Sequence, residues 1–174
     1  MKKLLLAILL ILPFCISAQE NWMFSEVVEV KDASANDLHL RCKSWFATSF
    51  KDSRNVLVSD NIETGMIANA SIQVNFKSAM MMRTGHVKFR MEIYFKEGRY
   101  KYELKDFTHE DTNGSNYPGE GGSLTNEKPS CGTISMTMRD WKIIKEITGG
   151  EVTALIESLK TKMNSQIESQ KDNW

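Results

Sequence analysis

The sequence predicts an α+β domain: an antiparallel sheet of five or six strands, with an N-terminal and a C-terminal helix packed on one face. Three observations predict it. Residues 87–105 alternate apolar and charged side chains through a tight turn, residues 34–50 carry apolar groups at helical spacing, and residues 152–167 do so again.

The elements follow in order. Phe24-Ser25-Glu26-Val27-Val28-Glu29-Val30 nearly alternates and is rich in β-branched residues, so it reads as a strand. Ser34 with Asp37 three residues later gives a capping-box start. Leu38, Cys42, Trp45, Phe46 and Phe50 then form one stripe of an amphipathic helix. Val56-Leu57-Val58 is a short strand, Asp60-Asn61 opens a turn, and Gly65 precedes a longer strand from Met66 to Phe76. Lys77 to Gly85 reads as a connection containing Met80-Met81-Met82, core filling or a hairpin tip in preference to an adaptable contact surface or a metal-soft patch.

In the next strand Val87, Phe89, Met91, Ile93 and Phe95 share one parity, against Lys88, Arg90, Glu92, Tyr94 and Lys96 on the other. Glu97-Gly98 turns the chain, with glycine supplying positive φ. The return strand sets Tyr100, Tyr102 and Leu104 against Arg99, Lys101, Glu103 and Lys105. A period of two makes one side of this hairpin core and the other a solvated, charged face. The expected core includes Trp45, Phe46, Phe89, Ile93, Tyr102, Leu155 and Leu159.

Thr108 to Gly132 holds five of the ten glycines and two of the three prolines, with few apolar side chains, so a long mobile loop is expected at about 108–132. A short strand, Thr133 to Met138, should follow. Trp141, Ile144 and Ile147 then show helical spacing. Gly149-Gly150 should break or kink that helix, because each interior glycine costs about 1 kcal/mol relative to alanine. Val152, Leu155, Ile156, Leu159, Met163 and Ile167 form the stripe of the last helix, and the single domain is read as residues 19–170.

The first eighteen residues read as a secretory signal peptide. Lys2-Lys3 supplies the positive start, Leu4 to Ile16 the apolar run, and Ile16-Ser17-Ala18 the cleavage pattern. The run is short for a membrane span and holds Pro13, and Pro13-Phe14 fits poorly before a lipidated Cys15. The expected product is periplasmic or extracellular, without stable membrane insertion. N-terminal sequencing of protein from its native host should give Gln19 first; a retained Met1, or a lipid on Cys15, contradicts the reading. The full chain has 22 basic and 22 acidic residues; the signal removes two lysines, leaving 20 against 22. That balance points to no nucleic-acid partner.

Two cysteines remain after cleavage, Cys42 and Cys131, and their pairing is left open. His39, His86 and His109 are scattered, and no zinc-ligand spacing, nucleophile elbow or phosphate-binding glycine loop is present. No catalytic, metal or cofactor residue is therefore assigned. The basic and aromatic side chains of the solvated hairpin face, Arg90, Tyr94, Arg99 and Lys101, are the candidate binding face, because Arg and Tyr are enriched among binding hot spots.

The succession of signal peptide, Phe24–Val30 strand, Trp45-Phe46 helix, Lys96-Glu97-Gly98-Arg99-Tyr100-Lys101-Tyr102 hairpin and Leu155–Lys160 helix resembles the exported Bacteroidetes proteins grouped as domain of unknown function 4468. The resemblance implies a fold like that of the TATA-binding protein. It carries over no activity and no site residue, and the shared fold implies nothing about DNA. The expected function is a non-enzymatic envelope module binding a protein, peptide or glycan. The alternative is a carrier of a small apolar ligand held between sheet and C-terminal helix; an enzyme ranks third.

Overall fold

The computed structural model describes residues 21–50, 53–78, 81–111 and 119–165. The signal segment with Cys15, Met80, and the stretch around Asn113-Gly114 lie outside the described residues. The order is β1 (Phe24–Glu29), α1 (Ala35–Ser49), α2 (Ser53–Val56), β2 (Leu57–Asn61), β3 (Gly65–Ser78), β4 (Met81–Lys96), β5 (Arg99–Asp111), β6 (Gly122–Ser123) and α3 (Met138–Asn164). The antiparallel sheet runs β1-β5-β4-β3-β2, with β6 beside the far end of β5.

Capping starts α1 as the sequence indicates: the Asp37 N–H donates to Ser34 Oγ at 3.0 Å, and the Ser34 N–H to the Asp37 carboxylate at 3.3 Å. Leu38, Cys42, Trp45 and Phe46 are its buried stripe. The β4–β5 turn docks onto the β1–α1 connection. Val30 N–H donates to the Gly98 carbonyl at 2.8 Å, and Gly98 N–H to the Ala33 carbonyl at 2.9 Å. The Glu97 carboxylate also accepts from the Ala35 N–H at 3.1 Å, at the start of α1.

The strand faces of β4 and β5 follow the alternation, with Val87, Phe89, Met91, Ile93, Tyr100, Tyr102 and Leu104 buried. Two ends differ from expectation. β4 starts at Met81, so much of the expected 77–85 connection is a two-stranded extension of β3 and β4. β5 runs on to Asp111, through a bulge at Asp106, whose φ is +61°. The extra residue shifts the parity by one, so Phe107 and His109 follow Leu104 onto the buried face.

The glycine-rich segment is structured where it is described. Leu124 is fully buried, its N–H bonds the Phe107 carbonyl, and Gly121 N–H donates to His109 Nδ1 at 3.2 Å. The segment is polar in composition but caps the β5 end of the core through a few anchors, so the expectation of a mobile loop fails from Gly119 onward. The expected 133–138 strand is also absent. Those residues make turns that bring Met136 into the core and end at Thr137, the N-cap of α3, whose hydroxyl accepts from the Asp140 N–H.

Helix α3 is continuous through Gly149-Gly150. Trp141, Ile144, Thr148, Val152, Ile156, Leu159 and Met163 form an unbroken buried stripe, with Ile156 rather than Leu155 at its centre. That burial outweighs the cost of two glycines. Trp45 Nε1–H donates to Ser158 Oγ at 3.0 Å, and Arg41 donates to the Met163 carbonyl at 2.6 Å, so α1 and α3 are tied side by side over the sheet. A Cβ at Gly149 or at Gly150 meets nothing within 4 Å. Gly150→Ala should therefore stabilise the domain by about 0.5–1 kcal/mol. A fall in the denaturation midpoint would show that the helix needs flexibility there.

Candidate functional site

The helices leave one face of the sheet open, and its chemistry divides in two. At the centre, Glu92 sits on the open face yet is only 6% exposed. Its carboxylate accepts from Arg90 Nε at 2.6 Å, Lys105 Nζ at 2.9 Å and Tyr94 Oη at 2.8 Å. The Arg90 bond, with help from Lys105 and Tyr94 against partial burial, brings the acid down to about 2. Lys105 also reaches Glu103, which pairs with Lys101. This centre is a closed ion-pair network in which Arg90 is committed to Glu92.

Toward the β4–β5 turn the face opens into a groove of about 460 Å³. Val27, Glu63, Tyr94, Lys96, Arg99 and Lys101 line it. Register explains the assembly: Val27 lies opposite Lys101 and Glu29 opposite Arg99 across β1–β5, while Tyr94 lies opposite Lys101 across β4–β5. Val27 is 52% exposed and Tyr94 37%, which makes an apolar and aromatic floor. The Tyr94 ring lies against Gly65, where φ is +90° and a Cβ would stand 2.8 Å from the ring. Glycine is needed there both for the backbone and for the ring. With its hydroxyl on Glu92, Tyr94 is fixed from two sides.

One cation of the groove is looser. Arg99 is half-exposed and 3.9 Å from Glu29, itself well exposed. A pair at that distance in water is weak. Of the four residues expected to form the binding face, Tyr94, Arg99 and Lys101 therefore line the groove and Arg90 does not. Sequence reasoning missed Val27, Glu63 and Lys96. Val27 and Glu63 come from distant segments that only the strand order brings to the hairpin.

The groups that could do chemistry are elsewhere. Cys42 is buried and free, and burial pushes its thiol far above the ordinary range. Cys131 is also free, so the two do not form a disulfide. His109 is 1% exposed, against Trp141, and burial lowers it to about 4. Among the described residues no three His, Cys, Asp or Glu side chains are grouped to hold a metal.

The model of a domain of unknown function with a TBP-like fold, DUF4468, matches residues 24–110. The chain belongs to the DUF4468 family. The matched region spans β1 to nearly the end of β5, and so contains the open face and the groove; α3 lies beyond it. Two solved structures share the fold. One is a DUF4468 family protein from Bacteroides ovatus, at 14% identity and a TM-score of 0.61, covering 83% of this chain and 86% of that one. The other is a TBP-like protein from Parabacteroides distasonis, at 14% identity and a TM-score of 0.50, covering 79% of this chain and 92% of that one. No curated protein matches. The function of this DUF4468 domain is thus unknown, and its α+β, TBP-like architecture is the one expected from the sequence.

Proposed function

We propose that the chain is a non-enzymatic, exported binding module that takes a segment of a protein, peptide or glycan in the groove at the β4–β5 turn. The carrying observation is the groove itself: a fixed Tyr94 ring and an exposed Val27 flanked by Lys96, Arg99 and Lys101. A small apolar floor with a loosely paired Arg99 at its rim, and Lys101 beside it on Glu103, suits an amphipathic segment bearing carboxylates. The enclosure of His109 and Cys42 supports a binding role over catalysis. The carrier alternative is weakened by the filling of the space between sheet and helices with Trp45, Phe46, Trp141, Ile144 and Leu159, all buried. A second cleft, about 480 Å³, lies at the flank of α3 beside Trp22 and Lys142 and opens to solvent.

Pull-down from an envelope extract tests the reading. Wild type should capture a partner that a Tyr94→Ala/Arg99→Ala/Lys101→Ala variant loses, with the variant's fold confirmed by its circular dichroism. An aromatic and an arginine in the groove should each be worth about 1–2 kcal/mol or more of binding. An unchanged partner set removes the groove from consideration.

A further inference from the structure

The end of the sheet opposite the groove carries an exposed apolar tip. Among the described residues β4 pairs with β5 from Gly85 onward. Beyond that point, Asn75–Ser78 and Met81–Thr84 pair with each other and, among the described residues, with no further strand. Among the described residues this end of the β3–β4 ladder is a two-stranded arm. Met81 and Met82 near its end are 71% and 69% exposed. The turns before α3 lie against the arm: Arg83 donates to the Ser135 carbonyl at 3.0 Å, and Ser78 Oγ to Asp140 at 2.8 Å. These bonds bring Ile134, at 101% exposure, and Met138, at 45%, to the same end.

Two cations stand exposed at this end. Lys77, opposite Met82, and Arg139, beside Met138, are exposed. Two carboxylates here are engaged: Asp140 is 4% exposed and bonded to Ser78, and Asp111 is paired with Arg83 at 3.1 Å. Met81 and Met82 on the arm, and Ile134 and Met138 on the turn and helix start beside it, stand exposed with cations near them. Exposed apolar side chains with adjacent cations suit a deformable, anionic, partly apolar medium.

We propose that this end of the domain, Met81, Met82 and Lys77 of the arm with Ile134, Met138 and Arg139 beside it, docks on the surface of a bilayer containing anionic phospholipid. The contact is peripheral; among the described residues no helix is long and apolar enough to cross a membrane. β3 runs from Gly65 at the groove to Ser78 at the tip, and its fourteen residues at about 3.3 Å each separate the two ends by roughly 45 Å. A docked domain therefore holds its groove away from the lipid, free for a partner. The proposal stands whether or not the groove binds one.

Co-sedimentation of the mature chain with vesicles decides it. The chain should pellet with phosphatidylcholine vesicles containing phosphatidylglycerol, and far less with phosphatidylcholine alone. Lys77→Glu/Arg139→Glu should lower the partition by roughly fivefold or more for each cation and abolish the preference for phosphatidylglycerol. Met81→Ser/Met82→Ser/Ile134→Ser should lower it on both vesicle types with its melting temperature unchanged, since all three side chains are exposed. The groove variant Tyr94→Ala/Arg99→Ala/Lys101→Ala should pellet like wild type, which separates this surface from the groove. Failure to pellet with anionic vesicles overturns the proposal, as does pelleting that the tip variants leave unchanged. Self-association or capture of a soluble protein that the tip variants abolish, without vesicle binding, makes the tip a protein interface and overturns it too.

Discussion

Phe89→Ala is expected to destabilise the domain by about 3–5 kcal/mol, the range for emptying a large core site. Phe89 is 3% exposed, and its ring stacks on Phe107 with centroids 5.2 Å apart and planes at 12°. Phe107 in turn meets Trp22 and Phe24 edge-on at 5.6 and 5.7 Å. Phe107 reaches that cluster because the bulge at Asp106 turns it inward. Truncating Phe89 leaves a cavity and removes one aromatic pair, itself worth about 0.5–1.5 kcal/mol beyond burial. Lys88→Ala, one residue away on the solvated face, should change stability by less than about 0.5 kcal/mol. A denaturant titration showing a loss below about 1 kcal/mol for Phe89→Ala would mean that the β4 faces are reversed.

Acid should destabilise the domain in two steps. His109 titrates near 6.5 when unfolded and is lowered to about 4 by burial. Asp111 and Glu110 partly oppose that shift, while Arg83 and His86 reinforce it. The folded state thus favours the neutral ring. The stability it contributes is complete above pH 6.5 and is lost as pH falls from 6.5 to 4, on the order of 3 kcal/mol. Glu92 has the same sign in a lower window. Its carboxylate, ordinarily near 4.5, is held to about 2 by Arg90 first, so its contribution is lost between those two values. His109→Asn places an oxygen where Nδ1 accepts from Gly121 N–H, and should flatten the upper step alone. Urea midpoints across both windows measure this. A midpoint constant from pH 6.5 to 4 in wild type contradicts the assigned burial of a neutral His109.

Much of this was readable before the structure. The Ser34-Asp37 cap, the alternation from Val87 to Leu104 and the Glu97-Gly98 turn are local signals, and each set its element correctly. The misses are places where distant contacts overrule local ones. Phe107 and His109 resume the alternation one residue out of phase with Leu104, which is the mark of a bulge; reading it as the strand's end shortened β5. Gly149-Gly150 does not break α3, because Ile144, Thr148 and Val152 are buried around it. Leu124 and Met136 anchor a segment whose composition is otherwise that of a free loop. For the site, Tyr94, Arg99 and Lys101 stood out as the polar parity of one hairpin. That same parity includes Arg90, and only the structure shows it tied to the carboxylate of Glu92. Val27 and Glu63 carried no local signal at all, since the groove forms where β1 and the turn before β3 reach the hairpin through the sheet order.

The groove is tested most directly by hydrogen–deuterium exchange on the domain with and without its captured partner. Slowed exchange should concentrate at the backbone of Val27, Glu63 and Tyr94–Lys101, and should vanish in the Tyr94→Ala/Arg99→Ala/Lys101→Ala variant. Slowed exchange at Trp22, Phe24 and Lys142–Gly149 instead, with the hairpin unchanged, would contradict it and place binding in the cleft at the flank of α3.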